Sequence, residues 1–261
     1  MIRFIASDLD GTLLQNGAQS LEPEVFDLIR KLQDKGILFA AASGRQYLNL
    51  RHLFAPLRSE MMFIAENGAL VMYKDQLIHQ TVLPRDLTIE LMRDICAQEN
   101  CEVVLSGQFT CYIMPSEHKE FSDHMLYEVK NTVTIVDDIF SVQEDYLKVS
   151  LYSNDYVSDK IAPYFRDKWS DYFSVAVSGK QWVDFTLGNK GAAVRMVQDE
   201  LKLERNEMMA FGDNFNDEYM LQAVKYGFAM ENASDEVRGM AKYHCRRVED
   251  VLKQVLAGKF D

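Results

Sequence analysis

The chain has 261 residues, 48% of them apolar and 26% charged, the composition of a soluble globular protein with a sizeable core. Its 28 Lys and Arg against 40 Asp and Glu leave a net charge of −12, which argues against nucleic acid or an anionic membrane surface as the main partner. No apolar run approaches the roughly 20 residues that cross a bilayer, and none of the four cysteines forms a Cys-x-x-Cys pair. The opening MIRFIASDLD lacks the apolar core of a signal peptide. A cytoplasmic protein with reduced, buried thiols is therefore expected.

In chain order, IRFIAS (2–7) reads as a strand. After Ser20, with Pro23 suited to a first helical turn, Val25, Phe26, Ile29 and Leu32 give a helical stripe that stops before Gly36. ILFAAAS (37–43) is a second continuous apolar run, and MFIAENGAL (62–70) reads as a third strand leaving through Asn67-Gly68, with LVMY and QLIHQ as a hairpin around Lys74-Asp75. Continuous apolar runs suggest strands covered on both faces, hence a parallel sheet flanked by helices. From about residue 83 the texture changes. A helix over 85–99 leads into alternating strands: CEVVLS, FTCYIM, TVTIV, YLKVSLYS, YFSVAVS and QWVDFTL. Two further helices fall near 117–127 and 156–168, so this stretch reads as an α+β unit with an antiparallel sheet. After Gly188 the alternation returns: helix 189–202, strand 207–213, helix near 216–223, strand YGFAM, helix 234–241 and helix 248–257. The expected organisation is an α/β domain, 1–82 and 188–261, interrupted by an inserted domain, 83–187.

Ligands of open parallel sheets collect outside the carboxyl ends of the strands. Three apolar runs here end in IASDLDGT, AAASGR and AFGDNFND. If these strands are neighbours, Asp8, Asp10, Ser43, Gly44, Arg45, Asp213, Asn216 and Asp217 gather at one sheet edge. So many carboxylates call for a hard cation, and oxygen donors in that number suit Mg²⁺. An EF-hand is excluded, because DLDGTLLQNGAQ has Gly at the fourth position instead of the sixth and lacks the final Glu. SGR offers a hydroxyl and Gly-flanked amides at a helix start, an anion site. In LGNKGAAV, Lys190 lies in a first helical turn, where a cation is disfavoured unless an acid or an anion accompanies it. An acid nucleophile, a second acid, Mg²⁺, a hydroxyl and a lysine are equipment for phosphoryl transfer to a carboxylate.

These stretches resemble, in order, the four motifs of the haloacid dehalogenase (HAD) superfamily: DLDGTLL, SGR, NKG and GDNFND. The insert and ENGA (66–69) resemble its Cof-type subfamily of sugar-phosphate and cofactor phosphatases. The resemblance implies a Rossmann-like core with an α+β cap that closes over the site. It implies that Asp8 attacks phosphorus and ligates Mg²⁺, while Asp10 protonates the leaving alcohol, later activates water, and ligates the metal through its carbonyl. Asp213 is then the third metal ligand, Ser43, Gly44, Lys190 and Asn216 hold the phosphate, and Thr12, Arg45, Asn67 and Asp217 support them. The implied substrate is a small phosphomonoester, with no nucleic acid, membrane or obligate protein partner. Asp10 sets a phosphatase or phosphomutase apart from a true dehalogenase, which has no alkoxide to protonate. A phospho-receiver or a silent regulatory protein is the alternative from another class. The tail YHCRRVEDVLKQVL departs from the family's usual Asn- and Gly-bearing segment. Within the insert, Trp182 and Tyr112 are either sheet packing or stacking surfaces for a substrate ring. His118 and His124 are expected on a solvated helix face and not at a second metal.

Overall fold

FIAS forms strand β1 (Phe4–Ser7), buried along its whole length. The structure is a computed structural model and describes residues 1–128, 131–157 and 160–260. Pro23, with its fixed φ and no N–H to orphan, opens helix α1 (Pro23–Asp34), which buries Val25, Leu28, Ile29 and Leu32. β2 (Leu38–Ala42), α2 (Tyr47–Leu53) and β3 (Met62–Ala65) follow. The chain leaves β3 through Asn67-Gly68 as expected, and the strand itself ends at Ala65. Glu66, Asn67 and Gly68 are all left-handed, with φ of 49°, 56° and 94°, and three such residues turn an L-chain sharply. The chain returns as β4 (Leu70–Tyr73), antiparallel to β3. Lys74 and Asp75, also left-handed, close the hairpin to β5 (Gln76–Gln80).

The insert begins with α3 (Arg85–Cys96), β6 (Cys101–Ser106) and β7 (Cys111–Ile113). α4 (Lys119–Asp123) runs on into one π turn, followed by β8 (Val133–Ile135) and β9 (Lys148–Ser153). α5 (Ile161–Trp169), β10 (Ser174–Val177) and β11 (Trp182–Thr186) complete it. Of the helix expected over 156–168, residues 158 and 159 lie outside the described residues. The six strands lie in the order β10-β11-β9-β6-β7-β8. One pairing corrects the all-antiparallel expectation: β7 and β8 are parallel, Cys111 opposite Val133. The connection between them contains α4, and a crossover of that length lets the chain re-enter in the same direction. Leu91, Phe165, Trp169 and Phe185 belong to a hydrophobic core of the insert's own.

Past Gly188 come α6 (Lys190–Leu201), β12 (Met208–Gly212), α7 (Glu218–Ala223) and β13 (Tyr226–Met230). α8 (Asp235–Met240), β14 (Tyr243–Cys245) and α9 (Val248–Leu256) end the chain's regular structure. The sheet order is β14-β13-β12-β1-β2-β3-β4-β5, parallel from β14 through β3. The fold class is α/β with a Rossmann-like parallel core. β14 was not expected, since three residues carry no readable periodicity.

By contacts the chain divides into two compact units, one of Met1–Arg45, Leu50–His79 and Asn189–Asp261, the other of Gln46–Asn49 and Gln80–Gly188. The four cysteines are free, but Cys96 is exposed and Cys101 half-buried, which corrects the expectation of buried thiols. Cys96 closes α3 outside the Thr88, Leu91, Met92 and Ile95 face that the helix buries. Among the described residues no helix is long and apolar enough to cross a membrane.

Candidate active site

The site grows from the parallel pairing of β1 with β12. Asp8, just past β1, donates its N–H to the Phe211 carbonyl at 2.9 Å, so the ladder continues one step beyond the strand and places the two strand ends side by side. Asp213 follows β12 directly. Thr12 Oγ1 donates to Asp213 Oδ1 at 2.7 Å. Between them, Gly11 has φ +91°, and a Cβ there would lie 2.1 Å from Asp213 Oδ2, so only glycine lets the Asp8 loop pass the Asp213 carboxylate.

Lys190 is the first residue of α6, capped by Asn189, whose side chain accepts from the Ala192 N–H. Its Nζ lies 2.6 Å from Asp8 Oδ1 and 2.7 Å from Asp217 Oδ1, and the Lys190 and Asp217 side chains are fully buried. The acidic partners that a lysine in a first turn requires are therefore these two. The second Asp217 oxygen accepts the N–H groups of Asp213 and Asn214 at 3.0 and 3.1 Å, which folds GDNFND into a tight turn.

The cluster sets three carboxylates against one lysine. Burial and the neighbouring Asp217 hold the Asp8 carboxyl well above its usual range, despite Lys190. Asp213 is raised chiefly by burial, with Thr12 opposing and Asp217 adding to the shift. Lys190 is raised: burial works against its charge, and the two carboxylates outweigh burial. Oxygens of Asp8, Asp213 and Asp217 lie within 4.8 Å of one another. An all-carboxylate set with excess negative charge fits a hard divalent cation. Among the described residues this is the one group of three or more acids, histidines or cysteines that comes together in this way.

Asp10 stands apart. Its carboxylate, about half exposed, receives the Arg45 guanidinium on both oxygens, Nε to Oδ2 at 2.8 Å and Nη2 to Oδ1 at 2.6 Å. Arg45 is raised above its ordinary value by this hydrogen bond, against partial burial. Ser43 is buried, and its Oγ accepts the Arg45 N–H at 3.2 Å. The hydroxyl thus sits in a local turn and not at the cap of α2, which starts only at Tyr47. Gly44 lies against Asn67, and Asn67 Oδ1 accepts from Asn216 Nδ2 at 3.1 Å. The left-handed turn 66–68 also reaches the NKG stretch, because a Cβ on Gly68 would lie 2.6 Å from the Asn189 carbonyl carbon.

Two contributors were not read from the sequence. Asn232, two residues past the end of β13, donates to the Gly11 carbonyl at 2.9 Å. Its signal was the ENAS stretch at one more strand end. The other is the clamp of Arg45 on Asp10, because spacing alone does not say which acid an arginine meets. In the insert, His124 stacks on Tyr152 at 5.6 Å and lies 5.9 Å from Trp182, so its expected place on a solvated face is corrected. Tyr112 donates its hydroxyl to Glu144 at 2.6 Å.

A 5-amino-6-(5-phospho-D-ribitylamino)uracil phosphatase of Escherichia coli is 25% identical over 265 residues, covering 98% of this chain and 96% of its own. An HMP-PP phosphatase of Serratia proteamaculans is 28% identical over 92% of this chain and 88% of its own. The crystal structure of a Streptococcus mutans protein superposes with a TM-score of 0.85 at 26% identity, over 98% of this chain and 100% of that one. The family model for haloacid dehalogenase-like hydrolases runs from residue 5 to residue 253, from the strand that leads to Asp8 into the final helix, and the chain belongs to that family.

Proposed function

We propose that this phosphomonoester hydrolase acts on small phosphorylated cofactors or sugars, with Asp8 as nucleophile and Mg²⁺ as the resident metal. The observation that carries the reading is the position of Asp8. It is a buried carboxylate at a strand end, in contact with a buried lysine and grouped with two more carboxylates. Relatives named for a phosphorylated ribitylaminouracil and for HMP-PP support the substrate class.

In this reading Asp8, Asp213 and the Asp10 carbonyl hold the metal, with Asp217 supporting it. When bound, the cation neutralises charge on the phosphoryl oxygens and on the carboxylates around them. Ser43, the Gly44 amide, Lys190 and Asn216 hold the phosphate, and Thr12 and Asn67 keep Asp213 and Asn216 in place. An Asp8 oxygen forms a bond to phosphorus as the bond to the leaving oxygen breaks. Asp10 gives that oxygen its proton. Water then attacks the phosphoaspartate, Asp10 takes the water's proton, and the bonding pair returns to Asp8. Residues 1–82 and 188–261 form the catalytic core and 83–187 the cap domain. A cytoplasmic location belongs to the same reading, supported by four free thiols.

The test is phosphate release from a panel of sugar and cofactor phosphates, with Mg²⁺ or with EDTA, for the native protein and Asp8→Asn. Turnover that needs Mg²⁺ and vanishes in the variant is expected. Full activity of Asp8→Asn would remove the nucleophile assignment.

A further inference from the structure

The Arg45 guanidinium meets Asp10 as a fork, each carboxylate oxygen taking one N–H. Such a bidentate pair fixes the plane and rotation of a carboxylate as well as its position. Arg45 is itself held at both ends of its backbone: its N–H donates to Ser43 Oγ at 3.2 Å and its carbonyl accepts from the Glu66 N–H at 3.1 Å. The clamp is thus anchored to the phosphate-binding loop and to the left-handed 66–68 turn, while the acid it holds is otherwise half exposed to solvent.

The fork occupies one lone pair on each Asp10 oxygen and so fixes where the remaining ones point. We infer that Arg45 is a positioning residue that holds the Asp10 carboxylate in one orientation for its proton transfers, and that its effect is read at the second of them, where Asp10 activates water against the phosphoaspartate. This rests on the proposed roles of Asp8 and Asp10. In the step concerned, the water oxygen forms a bond to phosphorus and the water's proton passes to the free lone pair of an Asp10 oxygen. The phosphorus–oxygen bond to Asp8 breaks with its electron pair staying on Asp8, and inorganic phosphate departs.

The two half-reactions separate with p-nitrophenyl phosphate, whose leaving group needs no proton. Rapid-quench kinetics with Mg²⁺ present would compare the native protein with Arg45→Met, Arg45→Lys and Asp10→Asn. Arg45→Met is expected to release a burst of p-nitrophenol approaching one per enzyme. A steady rate lowered roughly 10- to 100-fold follows, part of the 10²- to 10⁴-fold that a positioned base supplies. The trapped protein should carry a phosphoryl group. Arg45→Lys, which keeps the charge and loses the fork, should fall between Arg45→Met and the native protein. It also carries the test if Arg45→Met fails to fold, as read from its circular dichroism melt. A burst and a steady rate that fall together in the Arg45 variants would overturn the inference, and so would kinetics that do not change. Asp10→Asn separates the two readings. If it turns over like the native protein, the base assignment itself is lost. If it gives the burst while the Arg45 variants do not, only the clamp is lost.

Discussion

Asp8 is surrounded by opposing influences. Lys190 favours its ionised form at 2.6 Å, while burial and the Asp217 charge disfavour it more strongly, so its folded-state pKa stands above the unfolded reference of 3.8. A carboxyl raised in this way lends its stability at low pH. That contribution is fully present below the unfolded value and is lost as pH rises through the raised folded value. The metal-free protein should therefore gain melting temperature as pH is lowered from neutral towards about pH 5, where other carboxylates still keep their charge. Asp8→Asn removes the titrating group, so its melting temperature in EDTA should depend less on pH and at neutral pH should equal or exceed that of the native protein. Parallel slopes for the two proteins would mean that Asp8 is not the source. Much of this cluster was readable in the sequence because Asp8 and Asp213 each end a buried apolar run. The Arg45–Asp10 fork and the Asn232 contact were not, since both depend on which strand ends become neighbours.

At the scale of the element, the turn at Glu66–Gly68 does the most for its length. It reverses the chain from β3 to β4 and brings Asn67 to Asn216 and Gly68 to the start of α6. Gly68 has φ +94°, and a Cβ there would lie 2.6 Å from the Asn189 carbonyl carbon and oxygen, a backbone neighbour that cannot swing aside. Gly68→Ala should cost about 1–3 kcal/mol from the left-handed conformation, with the collision adding to it. It should also lower turnover by displacing Lys190. Urea melts and turnover measured on the same preparation check both effects, and a variant as stable and as active as the native protein would remove the turn from the site. The sequence carried the Asn67-Gly68 exit, but not the left-handed Glu66 or the contacts with Asn216 and Asn189, which depend on elements far along the chain. The long elements were legible because burial writes a continuous or helical apolar pattern into them, as in α1 and β2. β14, only three residues long, and the parallel pairing of β7 with β8 left no such pattern, since both are decided by contacts distant in the chain.

At the scale of the molecule, the carboxylate cluster lies entirely in the unit that holds β1 and β12, while Leu91, Phe165 and Phe185 belong to a separate core in the insert. A ligand that binds only the folded state stabilises whatever unfolds together with its site. At 100 times its dissociation constant the gain is about 2.7 kcal/mol, or roughly 100-fold in the opening equilibrium. Two units with separate cores open as separate cooperative blocks. Mg²⁺ should therefore slow hydrogen exchange by up to about 100-fold in peptides from β1, β12 and α6, and leave β6, β9 and β11 unchanged. Both tryptophans, Trp169 and Trp182, lie in the insert, so their fluorescence melt is a second reading of the same question and should not move with Mg²⁺. Equal slowing in both sets of strands would mean that the units unfold as one, and the insert would then sense the metal through the whole chain. Slowing confined to the insert would place the cation elsewhere and remove the carboxylate cluster as its site.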